Sequence, residues 1–200
     1  ALIRSDFWAP ASVAAPAEAA AFVDAARFLA LATMDREGRI DISPKGDPAG
    51  LLIRLEGARA TLAERPGNRL AFGYRNMVEQ PQVAALCLIP GAAATVELRG
   101  RGVLTTDEAL RARFVVEEKT PILATVIEDA AASLAPSEAL ARAAVWAGPP
   151  AASDVDPSAT LVAHVKLNKA RGAQATMLRL AVNRGLVAKG LEASYRDGLY

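Results

Sequence analysis

Phe28-Leu-Ala-Leu-Ala-Thr-Met-Asp-Arg-Glu-Gly-Arg-Ile-Asp-Ile-Ser43 is the stretch on which the fold reading turns. Two short runs, Phe28 to Met34 and Arg39 to Ser43, flank Asp35-Arg-Glu-Gly38, whose glycine supplies the positive φ that a hairpin turn needs. They predict an antiparallel strand pair. Leu51 to Leu55 and Ala60 to Glu64 repeat the arrangement around Glu56-Gly-Ala-Arg59. Downstream, Val83 to Ile89 and Thr95 to Leu104 read as two longer strands, the second alternating Val96 and Leu98 against Glu97 and Arg99. Pro121 to Ile127 reads as the last strand.

Helices are expected around this meander. Ala19, Phe22, Val23 and Ala26 recur at three and four spacing between Pro16 and Phe28, which places them on one helical face. Asn68 is a candidate cap for a helix through Arg75 and Asn76 that must end near Gln80, because Pro81 disfavours the helical region for its predecessor. Thr105-Thr-Asp-Glu108 has capping-box spacing and predicts a helix through Val116. Ser137 caps another through Trp146. The order is helix, about six antiparallel strands with one helix inserted after the fourth, then helices, a mainly β pattern that favours a small closed barrel or sandwich over a parallel sheet. Ala147 to Pro157 is rich in proline, glycine and small residues and reads as a linker. The expected organisation is a barrel domain over 1–157 and a helical C-terminal extension over 158–200, packed on the barrel or on a partner copy.

The 200 residues carry 23 basic and 22 acidic side chains, with 52% in the hydrophobic class. Disorder is excluded by that apolar content, and no whole-chain field draws the protein to nucleic acid or anionic membrane. Aromatic residues are only 5% of the chain, too few for stacking platforms along a nucleic acid. Apolar runs such as Val83 to Pro90 are far shorter than the roughly 20 residues that cross a bilayer. Glu18, Asp24 and Arg27 interrupt the alanine-rich start, which is therefore expected to be mature structure and not a signal peptide. Cys87 is the only cysteine and His164 the only histidine, so an internal disulfide and a Cys/His zinc cage are both excluded, and a cytoplasmic location fits. The segment from Ser158 holds seven basic residues against two acidic ones, leaving the part before it four charges negative. Packing within the chain or a dimer is the expected use of that contrast, with weak anionic-surface binding as the alternative.

Neither reactive residue suggests a nucleophile. Cys87 lies in an apolar strand without a neighbouring base, and His164 has no serine elbow near it. Two loops carry more chemistry. Ser43-Pro-Lys-Gly-Asp-Pro48 is longer and stiffer than a hairpin turn requires. Glu64-Arg-Pro-Gly-Asn-Arg69 puts two arginines at a strand-to-helix junction, where free N–H groups and the helix dipole favour an anion. Arginine's fork and the Lys45 ammonium suit a phosphate monoester.

The run from Phe28 to Pro48, followed in order by Arg65-Pro-Gly-Asn-Arg-Leu70, Arg75-Asn-Met-Val-Glu-Gln-Pro81, Thr95-Val-Glu-Leu-Arg-Gly-Arg101 and Ala139-Leu-Ala-Arg-Ala-Ala-Val-Trp146, resembles the pyridoxamine 5'-phosphate oxidase-like, FMN-binding split-barrel family. The resemblance spans about Phe22 to Trp146. It implies a six-stranded antiparallel split β-barrel that forms a homodimer with FMN at the interface. Matched residue by residue, it implies that Ser43, Pro44, Lys45 and Gly46 line the flavin from the strand side, and Arg65, Pro66, Gly67, Asn68 and Arg69 from the start of the helix. Lys45 and Arg69 would hold the phosphate. Arg75 and Asn76 match on the same helix, and Arg142 and Trp146 on the late segment, where they would close the site. Glu97, Ala143 and Gln80 depart from the family pattern, so contacts made there in relatives do not carry over. The implied activity is an FMN-dependent oxidoreductase acting on a small molecule or taking hydride from a reduced nicotinamide, with no protein nucleophile required. Alternatives are a flavin-binding protein without turnover, a haem-binding split barrel with His164 as axial ligand, and a deazaflavin binder.

Overall fold

The structure is a computed structural model that describes residues 17–66, 71–148, 156–167 and 172–197. The chain divides into two compact units, Ala1–Ala147 and Gly148–Tyr200.

In the first unit, α1 (Ala17–Ala25) buries Ala19 and Val23, with Ala26 just beyond it, and Phe22 packs against the same core. Seven strands follow: β1 (Phe28–Met34), β2 (Ile40–Gly46), β3 (Ile53–Glu56), β4 (Arg59–Glu64), β5 (Gln82–Leu88), β6 (Ala94–Thr105) and β7 (Leu123–Pro136). All pair antiparallel in one sheet of order β2-β1-β5-β6-β7-β4-β3. Both hairpins form, with Gly38 at φ 81° and Gly57 at φ 60° in their turns. Seven strands replace the expected count of about six, and the ladder does not run round into a closed ring. The last strand also reaches nine residues further than Ile127, because β6 pairs with it along both its halves.

The sheet folds over a single core. Leu29 and Leu31 of β1, Ile53 of β3, Leu62 of β4, and Val96 and Leu98 of β6 belong to one buried cluster. Each such side chain contributes roughly 1.5–3 kcal/mol through the water it sheds. Strand β2 has the opposite character. It is an edge strand with no fully buried residue, and Ile40 and Ile42 are 65% and 69% exposed. The expected loop at Ser43–Gly46 is strand, and the edge position explains how Pro44, which has no N–H to give, is accommodated opposite Ala30.

Helix α2 (Phe72–Glu79) stops at Gln80 as expected, whereas its N-cap is Ala71, with φ 56° and no side-chain bond. Asn68 lies outside the described residues. The helix sits close on β6 because position 102 has no side chain: a Cβ there would lie 2.6 Å from Met77 Sδ and 2.8 Å from Val83 Cγ1. Helix α3 (Glu108–Ala112) starts two residues later than expected and ends short of Val116. Asp107 accepts from the Leu110 N–H at 2.9 Å while its own N–H donates to Thr105 Oγ1, so the charged carboxylate, better matched to the helix dipole, takes the role expected of threonine. Helix α4 (Glu138–Arg142) is capped by Ser137 as expected but is shorter than the run to Trp146.

The second unit contains α5 (Pro157–Leu167), α6 (Ala173–Ala181) and α7 (Arg184–Asp197), of which α5 packs on α7. Among its described side chains only Ser158 and Val182 are buried. No helix among the described residues is long and apolar enough to cross a membrane.

Candidate functional site at the seam of the sheet

In hydrogen-bonding order β2 and β4 lie five strands apart, yet their C-terminal ends meet across the split. Register explains which side chains point there. Ser43 and Lys45 stand opposite Leu31 and Leu29, on the face that β1 buries, so they project from the inner side of β2, and Pro44 and Gly46 from the outer side.

Two ion pairs cross the gap in reciprocal fashion. Lys45 Nζ donates to Glu64 Oε2 at 2.6 Å, and Arg65 Nε donates to Asp47 Oδ2 at 2.7 Å. One strand end supplies a lysine and an aspartate, the other a glutamate and an arginine. Glu64 is almost wholly buried, its side chain 1% exposed against 15% for Lys45. It accepts two further bonds, from Tyr74 Oη on α2 to Oε2 at 3.0 Å and from Thr125 Oγ1 on β7 to Oε1 at 2.6 Å. The Lys45 ammonium also lies 5.9 Å from the centre of the Tyr74 ring, a cation–π distance. Burial, together with the negative charge and hydrogen bond of Glu64, raises the Tyr74 phenol well above its ordinary range. Arg65 donates in addition to the Phe114 carbonyl at 2.8 Å. Asp47 Oδ1 is buried and has no hydrogen-bond partner among the described residues.

The remaining sequence-predicted residues fall in different places. Pro66 is exposed beyond Arg65, and Gly67, Asn68 and Arg69 lie outside the described residues. Asn76 is wholly buried; its Nδ2 donates to Thr33 Oγ1 at 3.1 Å and to Asp41 Oδ2 at 2.8 Å, tying α2 to β1 and β2. Arg75 is exposed, with its guanidinium 5.8 Å from the Phe72 ring and 3.9 Å from Glu79. Arg142 pairs with Glu138 on the surface of α4, and Trp146 Nε1 donates to the Ala92 carbonyl in the β5–β6 turn. Neither of these two joins the Lys45–Glu64 group in the described contacts.

Sequence reasoning did not select Glu64, Asp47, Tyr74 or Thr125. A signal existed in the complementary segments Lys45-Gly-Asp47 and Glu64-Arg65, which the family resemblance brought to one flavin site, but nothing in a linear reading pairs their side chains with each other across five strands. Cys87 is fully buried, and burial pushes its thiol up to about 12, which makes it an inert core residue. His164 is exposed on α5, with Nδ1 3.0 Å from the Thr160 carbonyl. Among the described residues no group of acidic, histidine or cysteine side chains is placed to hold a metal ion.

A family model described as pyridoxamine 5'-phosphate oxidase matches residues 15–148, which takes in the whole sheet and both strand ends of the seam. The chain belongs to the pyridoxamine 5'-phosphate oxidase family. No curated protein matches the sequence. Among solved structures, a HupZ variant from Group A Streptococcus is similar at 14% identity and TM-score 0.48, covering 60% of this chain and 98% of its own. General stress protein 26 from Bacillus anthracis aligns at 13% identity and TM-score 0.45, covering 60% of this chain and 96% of its own. A putative pyridoxamine 5'-phosphate oxidase from Lactobacillus delbrueckii aligns at 16% identity and TM-score 0.40, covering 53% of this chain and 82% of its own.

Proposed function

We propose that this member of the pyridoxamine 5'-phosphate oxidase family is an FMN-binding oxidoreductase whose cofactor tail docks at the seam between β2 and β4. The observation that carries the reading is the pairing of a partly exposed cation, Lys45, with a buried acceptor that has no donor among the described residues, Asp47 Oδ1, two residues along the same strand end. A ligand with an anionic group and hydroxyl donors suits both, and the phosphate and ribityl chain of FMN are such a pair. Ser43, on the same side of β2 as Lys45, adds a hydroxyl. Pro66 and the segment from Gly67 to Arg69 are assigned to the same tail from the other side of the seam, with Arg69 as the second phosphate ligand.

Bound FMN supplies hydride transfer, and the protein binds it, orients it and admits the substrate. The four seam charges balance, so the site recognises an anion by local donors and not by net field. A homodimer is part of the proposal. Phe28, Ile40, Ile42 and Leu86 are exposed apolar side chains on β1, β2 and β5, and a second copy seated there would shield them. Arg142 and Trp146 are assigned to closing the flavin site from that partner.

The test is the absorbance of the protein purified with and without added FMN, after gel filtration removes free cofactor. Retained flavin bands are expected; a colourless protein would overturn the reading, a Soret band lost in His164→Ala would replace it with haem, and a deazaflavin spectrum with that cofactor. Light scattering at micromolar concentration is expected to give the mass of a dimer. Lys45→Ala and Arg69→Ala should each weaken FMN by about 1–3 kcal/mol, the range for hydrogen bonds to a charged group.

A further inference from the structure

Lys45 is not idle before a ligand arrives. Its ammonium rests 2.6 Å from a carboxylate that is 1% exposed, so an incoming anion must share the lysine with a group that cannot turn to water instead. A buried carboxylate deprived of its cation is costly unless other donors remain on it. Glu64 has two such donors, and they come from separate elements: Tyr74 on α2 occupies the same oxygen as Lys45, and Thr125 on β7 occupies the other. Their presence distinguishes this arrangement from a bare ion pair, because the carboxylate stays hydrogen-bonded when the lysine is drawn away.

We propose that Glu64 is a built-in counter-ion that competes with the ligand phosphate for Lys45 and so sets how strongly the site prefers a phosphorylated ligand over its unphosphorylated form, with Tyr74 and Thr125 holding the carboxylate in place during the exchange. The proposal rests on the FMN reading. It makes Glu64 a positioning residue that lowers affinity, which is the reverse of what an ordinary scaffold residue does. Removing its charge releases Lys45 to the ligand. Removing a supporting hydroxyl makes Glu64 hold Lys45 harder. The two substitutions therefore act in opposite directions on one quantity, the ratio of FMN affinity to riboflavin affinity, which isolates the phosphate.

The experiment is a fluorescence titration of the full-length protein with FMN and with riboflavin, for the wild type, Glu64→Gln, Tyr74→Phe and Lys45→Met. Glu64→Gln is expected to raise the FMN-to-riboflavin ratio by about tenfold, the scale of one charge-assisted hydrogen bond. Tyr74→Phe should lower it by about threefold, the scale of one neutral hydrogen bond. Lys45→Met should bring it close to that of a site blind to phosphate. A Glu64→Gln protein that loses FMN and riboflavin equally, or a ratio that both substitutions leave unchanged, would overturn the proposal and leave Glu64 as a structural anchor. Should Glu64→Gln fail to fold by circular dichroism, the sign of the Tyr74→Phe change decides. A wild type that binds neither flavin would refute the FMN reading instead. Inorganic phosphate then serves as the probe: a thermal shift larger in Glu64→Gln than in the wild type upholds the competition for Lys45, and equal or absent shifts end it.

Discussion

The sheet is held together in two unlike ways. Along β6 and β7 the ladder is continuous backbone hydrogen bonding over most of two long strands, interrupted by one register shift between Arg99 and Arg101. Across the seam, among the described residues, strand ends are joined by side chains, two ion pairs whose carboxylates are buried. The first junction depends on space and very little on which polar groups are present. The second depends on charge and hardly at all on chain direction. A ligand with charge of its own can therefore act on the seam but not on the β6–β7 ladder, which is why the seam is where a functional site is to be sought.

The largest expected effect is Glu64→Ala. It leaves Lys45 at 15% exposure without its partner and two hydroxyls without an acceptor, and should cost about 3–5 kcal/mol in urea unfolding, the usual range for breaking a buried pair. The double variant Lys45→Met with Glu64→Gln should recover most of that loss, since it removes the orphaned charge but keeps an acceptor for Tyr74 and Thr125. No recovery would mean that the seam depends on shape and not on charge. On the other junction, Gly100→Ala should destabilise by about 2–3 kcal/mol, because the new methyl meets the Glu128 carbonyl and Ile127 Cγ2 inside the register shift. That loss should be the same in low and high salt, whereas the loss in Glu64→Ala should change with ionic strength only slightly, its partners being shielded from solvent.

The smallest effect concerns an exposed pair. Arg113 donates two hydrogen bonds to Glu56, and this holds the Glu56 carboxyl below the usual range. A lowered folded-state value means stability that is present above the unfolded value, near pH 4.3, and lost as the pH falls through the folded value. Glu56 is 63% exposed, so Glu56→Gln should reduce stability at neutral pH by no more than about 0.5 kcal/mol and flatten the acid limb of a pH–stability curve. An unchanged acid limb would show that the pair contributes nothing measurable.

Elements governed by near neighbours were legible in the sequence. Gly38 and Gly57 marked their turns, Pro81 ended α2, and the spacing of Ala19, Val23 and Ala26 marked the buried face of α1. Where two local rules competed, the reading missed: Thr105 had the right spacing to cap α3, but Asp107 carries a full charge and took the position. The polar partners at the seam were not legible, because Lys45 and Glu64 are 19 positions apart in the chain and come together only after the intervening order of strands has curled. Asn76 shows the same limit. Its match to a family motif left helix packing and cofactor contact both open, and its buried bonds to Thr33 and Asp41 tie α2 to β1 and β2.

Pro44 stands in the middle of the edge strand opposite Ala30. It has no amide to give to a neighbour, and β4 already pairs with β3 on one side and β7 on the other, so no backbone ladder joins β2 to β4. The opening between β2 and β4 thus follows from the order in which the strands pair. Because the gap is bridged by side chains, its chemistry can be rewritten by point substitution while the surrounding ladder stays intact.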